Sequence, residues 1–158
     1  MPLSPLVSII LPVFNDEEWI EAALESCVRQ TLTQIEIICV DDASTDATCD
    51  IVERFTRKDD RVRLIRQPDN LSAFQARRAG IMAASGPHIL FLDGDDELEP
   101  AAAEKALATA RASEADLVGF GVAVFGAEGE RIGGYQARLR HAHRRLDGDA
   151  VLEGLFPP

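Results

Sequence analysis

Five carboxylates lie close together in the segment HILFLDGDDELEP, residues 88–100. The first half of this segment is apolar and predicts a short buried strand. The acidic residues follow it within a few positions: Asp93, Asp95, Asp96, Glu97 and Glu99. Carboxylates this close repel one another by roughly 1 kcal/mol per pair at about 4 Å in water, and by more in a drier site. A solvated loop would tolerate that repulsion, whereas a hard cation bound by oxygen ligands would cancel it.

Two further polar clusters follow other apolar runs. LVSIILPVF (6–14) leads into Asn15 and Asp16, and IEIICVDD (35–42) ends in two aspartates. Nearly continuous apolarity with β-branched residues is typical of strands that are buried on both faces. Each cluster therefore comes directly after a predicted core strand.

The rest of the chain alternates between strand and helix patterns, which predicts an α/β fold with a mostly parallel sheet. Right-handed crossovers bring the carboxyl ends of such strands to one edge, outside which ligands bind. The clusters after the first, second and fourth strands should therefore meet in space. The predicted strands are 6–14, 35–42, 61–67, 88–92 and 115–126, and the predicted helices are 15–30, 44–60, 72–86, 100–113 and 148–155.

Short polar residues mark the expected starts of two helices. Asn15 has Glu18 three positions on, the spacing of a capping box. Ser44 or Thr45 would cap the second helix through its hydroxyl group. These predictions place the helix starts immediately after the strands that they follow.

Composition limits the classes of function. The 158 residues fit one domain, and 27 acidic against 16 basic residues give a net charge of −11. A nucleic acid would on average be repelled, so we expect no nucleic-acid partner. There is no GxxxxGK[ST] and no GxGxxG after the first strand, so a glycine loop for phosphate is not expected. A diphosphate would instead need a divalent cation that bridges it to aspartates.

The chain carries no pattern of a secreted or membrane-spanning protein. Its N-terminus lacks a signal-peptide pattern, and no apolar run approaches the length of a membrane span. Three cysteines without CxxC spacing are typical of reduced thiols in a cytosolic protein. We expect a cytoplasmic location, with peripheral attachment at the inner face of the membrane as an open alternative.

The motifs between Val7 and Pro100 resemble, in order and spacing, those of family-two glycosyltransferases with the GT-A fold. PVFN is similar to P-x-Y-N, SCVRQ to S-x-x-x-Q, VDDASTD to V-D-D-x-S-x-D, and DGDD to D-x-D-D. NLSAFQARRAG is similar to N-x-G-x-x-x-A-R-N-x-G. Three positions depart from the family pattern: Phe14 replaces Tyr, Ser72 replaces Gly and Arg78 replaces Asn.

The resemblance implies a pocket for a nucleotide-sugar donor. Pro12, Val13 and Phe14 would line the part that holds the base and ribose. Asp42 would accept the N3–H of the base, and Asp95 would lie at the ribose and diphosphate.

The same resemblance implies a metal site in the acidic loop. Asp96 would ligate Mn²⁺ or Mg²⁺, with Asp95 and Asp93 beside it. The cation would stabilise the departing nucleoside diphosphate. Arg77 and Arg78 lie on a predicted helix, where we expect solvated side chains more than diphosphate ligands, with one of the two facing the cleft as the open alternative.

The implied activity is inverting transfer of a sugar to a hydroxyl of a saccharide, lipid or protein acceptor, as in polysaccharide biosynthesis. It needs a general base beyond the acidic loop, and residues 1–158 are interpreted as a single GT-A domain that stops before the acceptor-binding half. No motif singles out the base among the later acidic residues, which are Asp116, Glu128, Glu130, Asp147 and Asp149.

Two other classes of protein stay open at this point. A module could bind a nucleotide sugar without catalysing transfer. A receiver-type or hydrolase-type α/β domain could hold Mg²⁺ in an acidic pocket, but a phosphoacceptor receiver needs a Lys at a late strand end. Lys58 and Lys105 both lie in predicted helices, which argues against it. The pair His141 and His143 lacks a third ligand, so we expect no metal there.

Overall fold

The computed structural model describes residues 4–119, 121–126 and 130–135, apart from the side chain of Tyr135. These residues fall into two compact units that divide after Leu107. The elements are β1 (Val7–Val13), α1 (Ile20–Val28), β2 (Ile35–Asp41), α2 (Thr48–Thr56), β3 (Val62–Arg66), α3 (Ala73–Ala83), β4 (His88–Phe91), α4 (Ala102–Ser113), β5 (Val122–Phe125) and β6 (Arg131–Tyr135).

The first unit is built on a four-stranded parallel sheet with strand order β3-β2-β1-β4. In the central pair, Val7 lies opposite Ile35 and Val13 lies opposite Asp41, so both strands end at the same level. The amide of Asp42 then donates to the carbonyl of Val13, which extends this alignment beyond the last pair. The α/β fold class and the parallel sheet are confirmed.

Alternate residues of the central strands pack on opposite faces of the sheet. On one face, Ile9 and Ile37 belong to the larger core cluster, with Leu24 of α1 and Val52 of α2. On the other face, Ile38 and Val40 pack with Ala76 of α3. The near-continuous apolar runs of β1 and β2 follow from burial on both faces.

The helices begin later than the capping patterns predict. α1 begins at Ile20 because the carbonyl of Asp16, not the predicted cap Asn15, accepts the first amides of the helix. α2 begins at Thr48, whose amide donates to the Oδ1 atom of Asp46 over 3.0 Å. The predicted caps at Asn15 and at Ser44 or Thr45 are therefore wrong: these residues make contacts between loops instead.

In the second unit, β5 and β6 form an antiparallel pair. The predicted strand 115–126 is wrong in extent, because β5 covers only its last part, and β6 was not predicted. Gly119 and Gly121 interrupt the apolar run before β5, and glycine weakens a strand interior. The helix expected at 148–155 lies outside the described residues.

None of the helices in the described part of the chain has the length and apolar character that a membrane crossing requires.

Candidate functional site

A pocket of about 250 Å³ lies in the first unit, where β1, β2 and β4 end. It combines an apolar side with several carboxylates and one guanidinium group. The residues that line it are Pro12, Val13, Phe14, Asp16, Asp42, Ala73, Ala76, Arg77, Asp93, Gly94 and Asp95. The polar clusters after the first, second and fourth strands therefore meet in one cavity, as the sequence predicts.

The loop after β1 is fixed by reciprocal hydrogen bonds to the loop after β2. The amide of Asn15 donates to Oγ of Ser44 over 2.9 Å, and the amide of Thr45 donates to Oδ1 of Asn15 over 2.9 Å. Asn15 has a φ of 56°, in the left-handed region that Asn tolerates better than most residues. These bonds hold two walls of the pocket against each other.

Phe14 presents an aromatic ring at the pocket, since 44% of the residue is exposed although it directly follows a fully buried strand. Its backbone amide donates to Oδ2 of Asp16 over 3.0 Å. An exposed ring with a fixed backbone can stack on a planar group at low entropic cost.

Asp42 is buried, with only 3% of the residue exposed, yet it lines the pocket. Its two carboxylate oxygens accept the amides of Leu71 and Ser72, each over 2.8 Å. Asp42 therefore holds the loop before α3 at the pocket. Each oxygen still has a second lone pair for a further donor. The neighbouring Asp41 is not part of the lining and accepts the amide of Ser44 instead.

Ser72 pays a conformational cost for this contact. Its φ of 95° and ψ of 154° lie in a region that is essentially reserved for glycine. The family motif that this segment resembles has a glycine at this position. The backbone conformation of Ser72 gives the physical reason for that preference.

In the acidic loop after β4, the amide of Asp96 donates to the carbonyl of Asp93 over 3.1 Å, which closes a turn. Partial desolvation by neighbouring atoms raises the pKa of Asp96, although the residue is largely exposed, and the charges of Asp95 and Asp93 raise it further. Asp93 and Asp95 line the pocket, whereas Asp96 is exposed and lies outside the lining. The three carboxylates thus repel one another, as their spacing predicts.

Arg77 on α3 points into the pocket, where its Nη2 atom pairs with Oδ1 of Asp93. Arg77 thus fits the alternative in which one of the two arginines faces the cleft, although 34% of its side chain is exposed. One turn of helix places Ala73, Ala76 and Arg77 on the same side, the side toward the pocket. Arg78, the next residue, is not part of the lining.

A metal ion bound here would draw part of its ligands from a substrate. Among the residues that the structure describes, no group of three or more His, Cys, Asp or Glu side chains is arranged to hold a metal ion. The oxygen donors of Asp93, Asp95 and Asp96 nevertheless suit a hard cation such as Mg²⁺ or Mn²⁺. These donors are of the type that a hard cation prefers, but the described side chains alone are not arranged to enclose one.

Sequence reasoning did not assign a role to two polar groups of the pocket, Asp16 and Arg77. The sequence presents Asp16 only as one of several polar residues after the first strand, because it lies just beyond the PVFN motif. Arg77 belongs to a motif, and Ala76 and Arg77 lie three and four residues after Ala73, a spacing that indicates a shared helix face.

The candidates for a general base fall mostly outside the described residues. Asp116 and Glu130 belong to the described part of the second unit. Glu128, Asp147 and Asp149 lie outside it, as do His141 and His143. That one of these acidic residues acts as the general base stays a prediction, and none of them is singled out.

Comparison with protein families gives a match over residues 8–153 to the model described as glycosyl transferase family 2. The chain is 43% identical over 117 residues to the uncharacterized glycosyltransferase EpsJ of Bacillus subtilis, which covers 74% of this chain and 34% of that protein. It is 41% identical over 103 residues to an uncharacterized glycosyltransferase of Haemophilus influenzae, covering 65% of this chain and 41% of that protein. The chain thus spans about a third to two fifths of the length of these relatives.

Solved glycosyltransferases have a similar fold. TarS of S. aureus, solved in complex with UDP-GlcNAc, is 28% identical with a TM-score of 0.65, covering 75% of this chain and 34% of that one. The mannosyltransferase PcManGT of Pyrobaculum calidifontis, solved with GDP-Man and Mn²⁺, is 26% identical with a TM-score of 0.61. That match covers 79% of this chain and 37% of the other. The predicted resemblance in fold is confirmed by these neighbours.

Proposed function

Because the chain belongs to glycosyl transferase family 2, we propose that its pocket binds the nucleoside-diphosphate sugar of a sugar-transfer reaction. The observation that carries this proposal is the convergence of an exposed aromatic ring, a buried carboxylate and an acidic loop on one cavity. The ring and the buried carboxylate would match the face and the N–H edge of a planar base, and the acidic loop would match a diphosphate through a bridging cation. The neighbours solved with UDP-GlcNAc and with GDP-Man support a donor of this class.

The base and ribose would occupy the part of the pocket beside β1. Phe14 would stack on the base, with Pro12 and Val13 as the apolar floor. Asp42 would accept the N3–H of the base through a lone pair that the amides of Leu71 and Ser72 leave free. A carboxylate held by two backbone amides is rigid, so this contact would be precise.

The diphosphate would lie at the acidic loop, with Asp95 between it and the ribose. Asp93, Asp95 and Asp96 would hold Mn²⁺ or Mg²⁺ together with diphosphate oxygens. When bound, the cation would supply a Lewis acid for the departing nucleoside diphosphate. Arg77 would add a guanidinium group to the same anion, because its partner Asp93 also lies in the pocket.

The complete reaction would be inverting transfer to an acceptor hydroxyl. An acidic residue of the later segment would take the proton of that hydroxyl. The acceptor would be a saccharide, lipid or protein, as in polysaccharide synthesis on the cytoplasmic side of a membrane.

Calorimetric titration of UDP, GDP and dTDP, each with Mn²⁺ and with EDTA, tests the proposal. We expect one nucleotide to bind in the presence of metal, and Asp96→Ala to abolish the metal-dependent part. Asp50→Ala is the matched control, since it removes an exposed carboxylate in the first turn of α2. Absence of binding by all three nucleotides, or equal binding in EDTA, would contradict the proposal.

A donor-binding module without transfer activity is the second candidate, because the chain spans only 34% of the relative EpsJ. Release of UDP or GDP from the matching nucleotide sugar, measured with and without simple saccharide acceptors, separates the two. Tight donor binding without any acceptor-stimulated release would favour the module.

A further inference from the structure

Asp16 is a pocket residue to which the proposed donor contacts assign no role. It directly follows the PVFN motif, and it lines the cavity together with Phe14 and Asp95. The backbone around it is rigid: its amide donates to Oγ1 of the fully buried Thr48 over 2.8 Å. Its carbonyl accepts the first amides of α1. A side chain on such a backbone has a defined direction.

The carboxylate of Asp16 is held by two contacts. Its Oδ2 atom accepts the amide of Phe14 over 3.0 Å. The same oxygen packs against Gly94 of the acidic loop, where an added Cβ would lie only 2.5 Å from it. The absence of a side chain at Gly94 therefore leaves room for the carboxylate of Asp16. Among the described residues, no donor bonds to the second oxygen, Oδ1, which would be available to a ligand of the pocket.

The charge around Asp16 restricts what that ligand can be. The pKa of Asp16 is raised, mainly because the carboxyl group is partly buried. The hydrogen bond from the amide of Phe14 lowers this pKa, whereas the nearby charges of Asp95, Asp46 and Asp93 raise it. Arg77 is the cation among the described residues that line the pocket, and it already pairs with Asp93. A carboxylate in this setting would oppose a phosphate group and favour a neutral hydrogen-bond donor.

We propose that Asp16 is a specificity-determining residue that accepts a hydrogen bond from a ribose hydroxyl of the bound nucleotide. The inference rests on the proposed function, because it takes the pocket to be the donor site. Asp16 accepts the amide of Phe14, the residue on which the base would stack, so its carboxylate would lie close to the attached ribose. Among the neighbouring carboxylates, Asp95 raises the pKa of Asp16 most. It would face the same sugar from the other loop. Two carboxylates would then bracket the vicinal hydroxyls.

The test compares binding of UDP with that of 2′-deoxy-UDP and 3′-deoxy-UDP in the presence of Mn²⁺, with the guanosine series used if wild type prefers GDP. Wild type should bind the ribonucleotide about tenfold more tightly than at least one deoxy form, the effect of one hydrogen bond to a charged group. Asp16→Ala should reduce that ratio to about one, mainly by weakening the ribonucleotide. Asp16→Asn keeps an oxygen that can accept the amide of Phe14, so it serves as a second variant in case Asp16→Ala does not fold. It should also reduce the ratio of ribonucleotide to deoxynucleotide affinity. Asp50→Asn is the control that should leave the ratio unchanged.

Three results would overturn the inference. Equal loss of affinity for all three nucleotides in both Asp16 variants would show a structural role. An unchanged ratio together with a shift in the half-saturating Mn²⁺ concentration would make Asp16 a metal ligand. Absence of nucleotide binding by wild type itself would remove the proposed function and this inference with it.

Discussion

At the scale of single residues, Ser72 stores backbone strain next to the pocket. Its φ of 95° would suit glycine, and residues in this region cost about 1–3 kcal/mol. We expect Ser72→Gly to raise the free energy of unfolding by about 1 kcal/mol, after allowance for the greater entropy of glycine in the unfolded chain. Urea unfolding at about pH 7 measures the change.

The control for this prediction is Ala108→Gly, an exposed position inside α4, where glycine should lower stability by about 1 kcal/mol. If Ser72→Gly also destabilised the protein, the side chain of Ser72 would contribute more than its backbone strain costs. In either case the amide of position 72 remains available to Asp42.

Glu36 is a buried carboxylate at the opposite end of the strands. Burial alone would raise its pKa, but donors from Ser8, Ser85 and Gly86 outweigh burial and lower the pKa from 4.5 to about 2. They include Oγ of Ser8 at 2.6 Å and the amide of Ser85 at 2.6 Å. These bonds join the starts of β1 and β2 to the turn after α3.

A folded-state pKa below the ordinary value means that ionised Glu36 stabilises the fold above about pH 4.5, and that this contribution is lost as the pH falls toward 2. The shift corresponds to roughly 3 kcal/mol. We therefore expect Glu36→Gln to lower the free energy of unfolding by about 2–3 kcal/mol at neutral pH and by much less near pH 2. Urea unfolding across this pH range measures the effect.

Glu18→Gln, at an exposed position before α1, is the matched control and should change stability little at any pH. A constant difference between Glu36→Gln and wild type from neutral pH down to about pH 2 would contradict the assignment of this pKa.

The motifs of the sequence predicted those site residues whose chemistry depends on residue type and order. Phe14, Asp42 and Asp95 could be expected at one cavity, because each follows a strand of the same parallel sheet. Asp16 could not be assigned a role, because its position follows from hydrogen bonds between loops that are distant in sequence. The sequence leaves open which of Arg77 and Arg78 faces the cleft, because helical spacing alone does not say which face is covered.

At the scale of elements, the loops after β1 and β4 are coupled by the contact between Asp16 and Gly94. A Cβ at Gly94 would lie 2.5 Å from Oδ2 of Asp16 and 3.2 Å from Cγ1 of Val13. We expect Gly94→Ala to displace the Asp16 carboxylate and to weaken nucleotide binding in the wild-type background. In an Asp16→Ala background the same change should cost less, because its main steric partner is gone.

A double-mutant cycle on nucleotide affinity, measured by calorimetry, gives the coupling between the two positions. We expect a coupling of about 1 kcal/mol, the size typical of residues in contact. Additive effects would contradict this coupling. They would mean that the acidic loop can move away from β1 without loss of nucleotide affinity.

The strands were easier to predict than the starts of the helices. β1 and β2 lie within their predicted bounds because burial on both faces leaves a continuous apolar signal. The starts of α1 and α2 were misplaced because Asn15, Ser44 and Thr45 bind the opposite loop. A capping residue and a residue that joins two loops have the same chemistry, so the sequence alone does not separate them. β6 was missed because two of its five residues are glycine.

At the scale of the whole molecule, the dominant feature is the net charge of −11. Several ion pairs between described residues are exposed, such as Arg29 with Glu25 and Lys105 with Glu99, and exposed pairs contribute little. Repulsion among the excess carboxylates should therefore outweigh attraction within these pairs. Screening by salt should then stabilise the fold rather than weaken it.

We expect the thermal midpoint at about pH 7 to rise by about 2–4 °C, equivalent to about 1 kcal/mol, when the ionic strength increases from about 0.01 M to about 0.15 M. Near the isoelectric point of about 4.6 the same change should have little effect, because the net charge vanishes there. Scanning calorimetry in NaCl at both pH values measures the difference, in the absence of divalent ions. A midpoint that falls with salt at neutral pH would mean that the ion pairs dominate. Attraction within the pairs, and not repulsion among the excess carboxylates, would then determine how stability responds to salt.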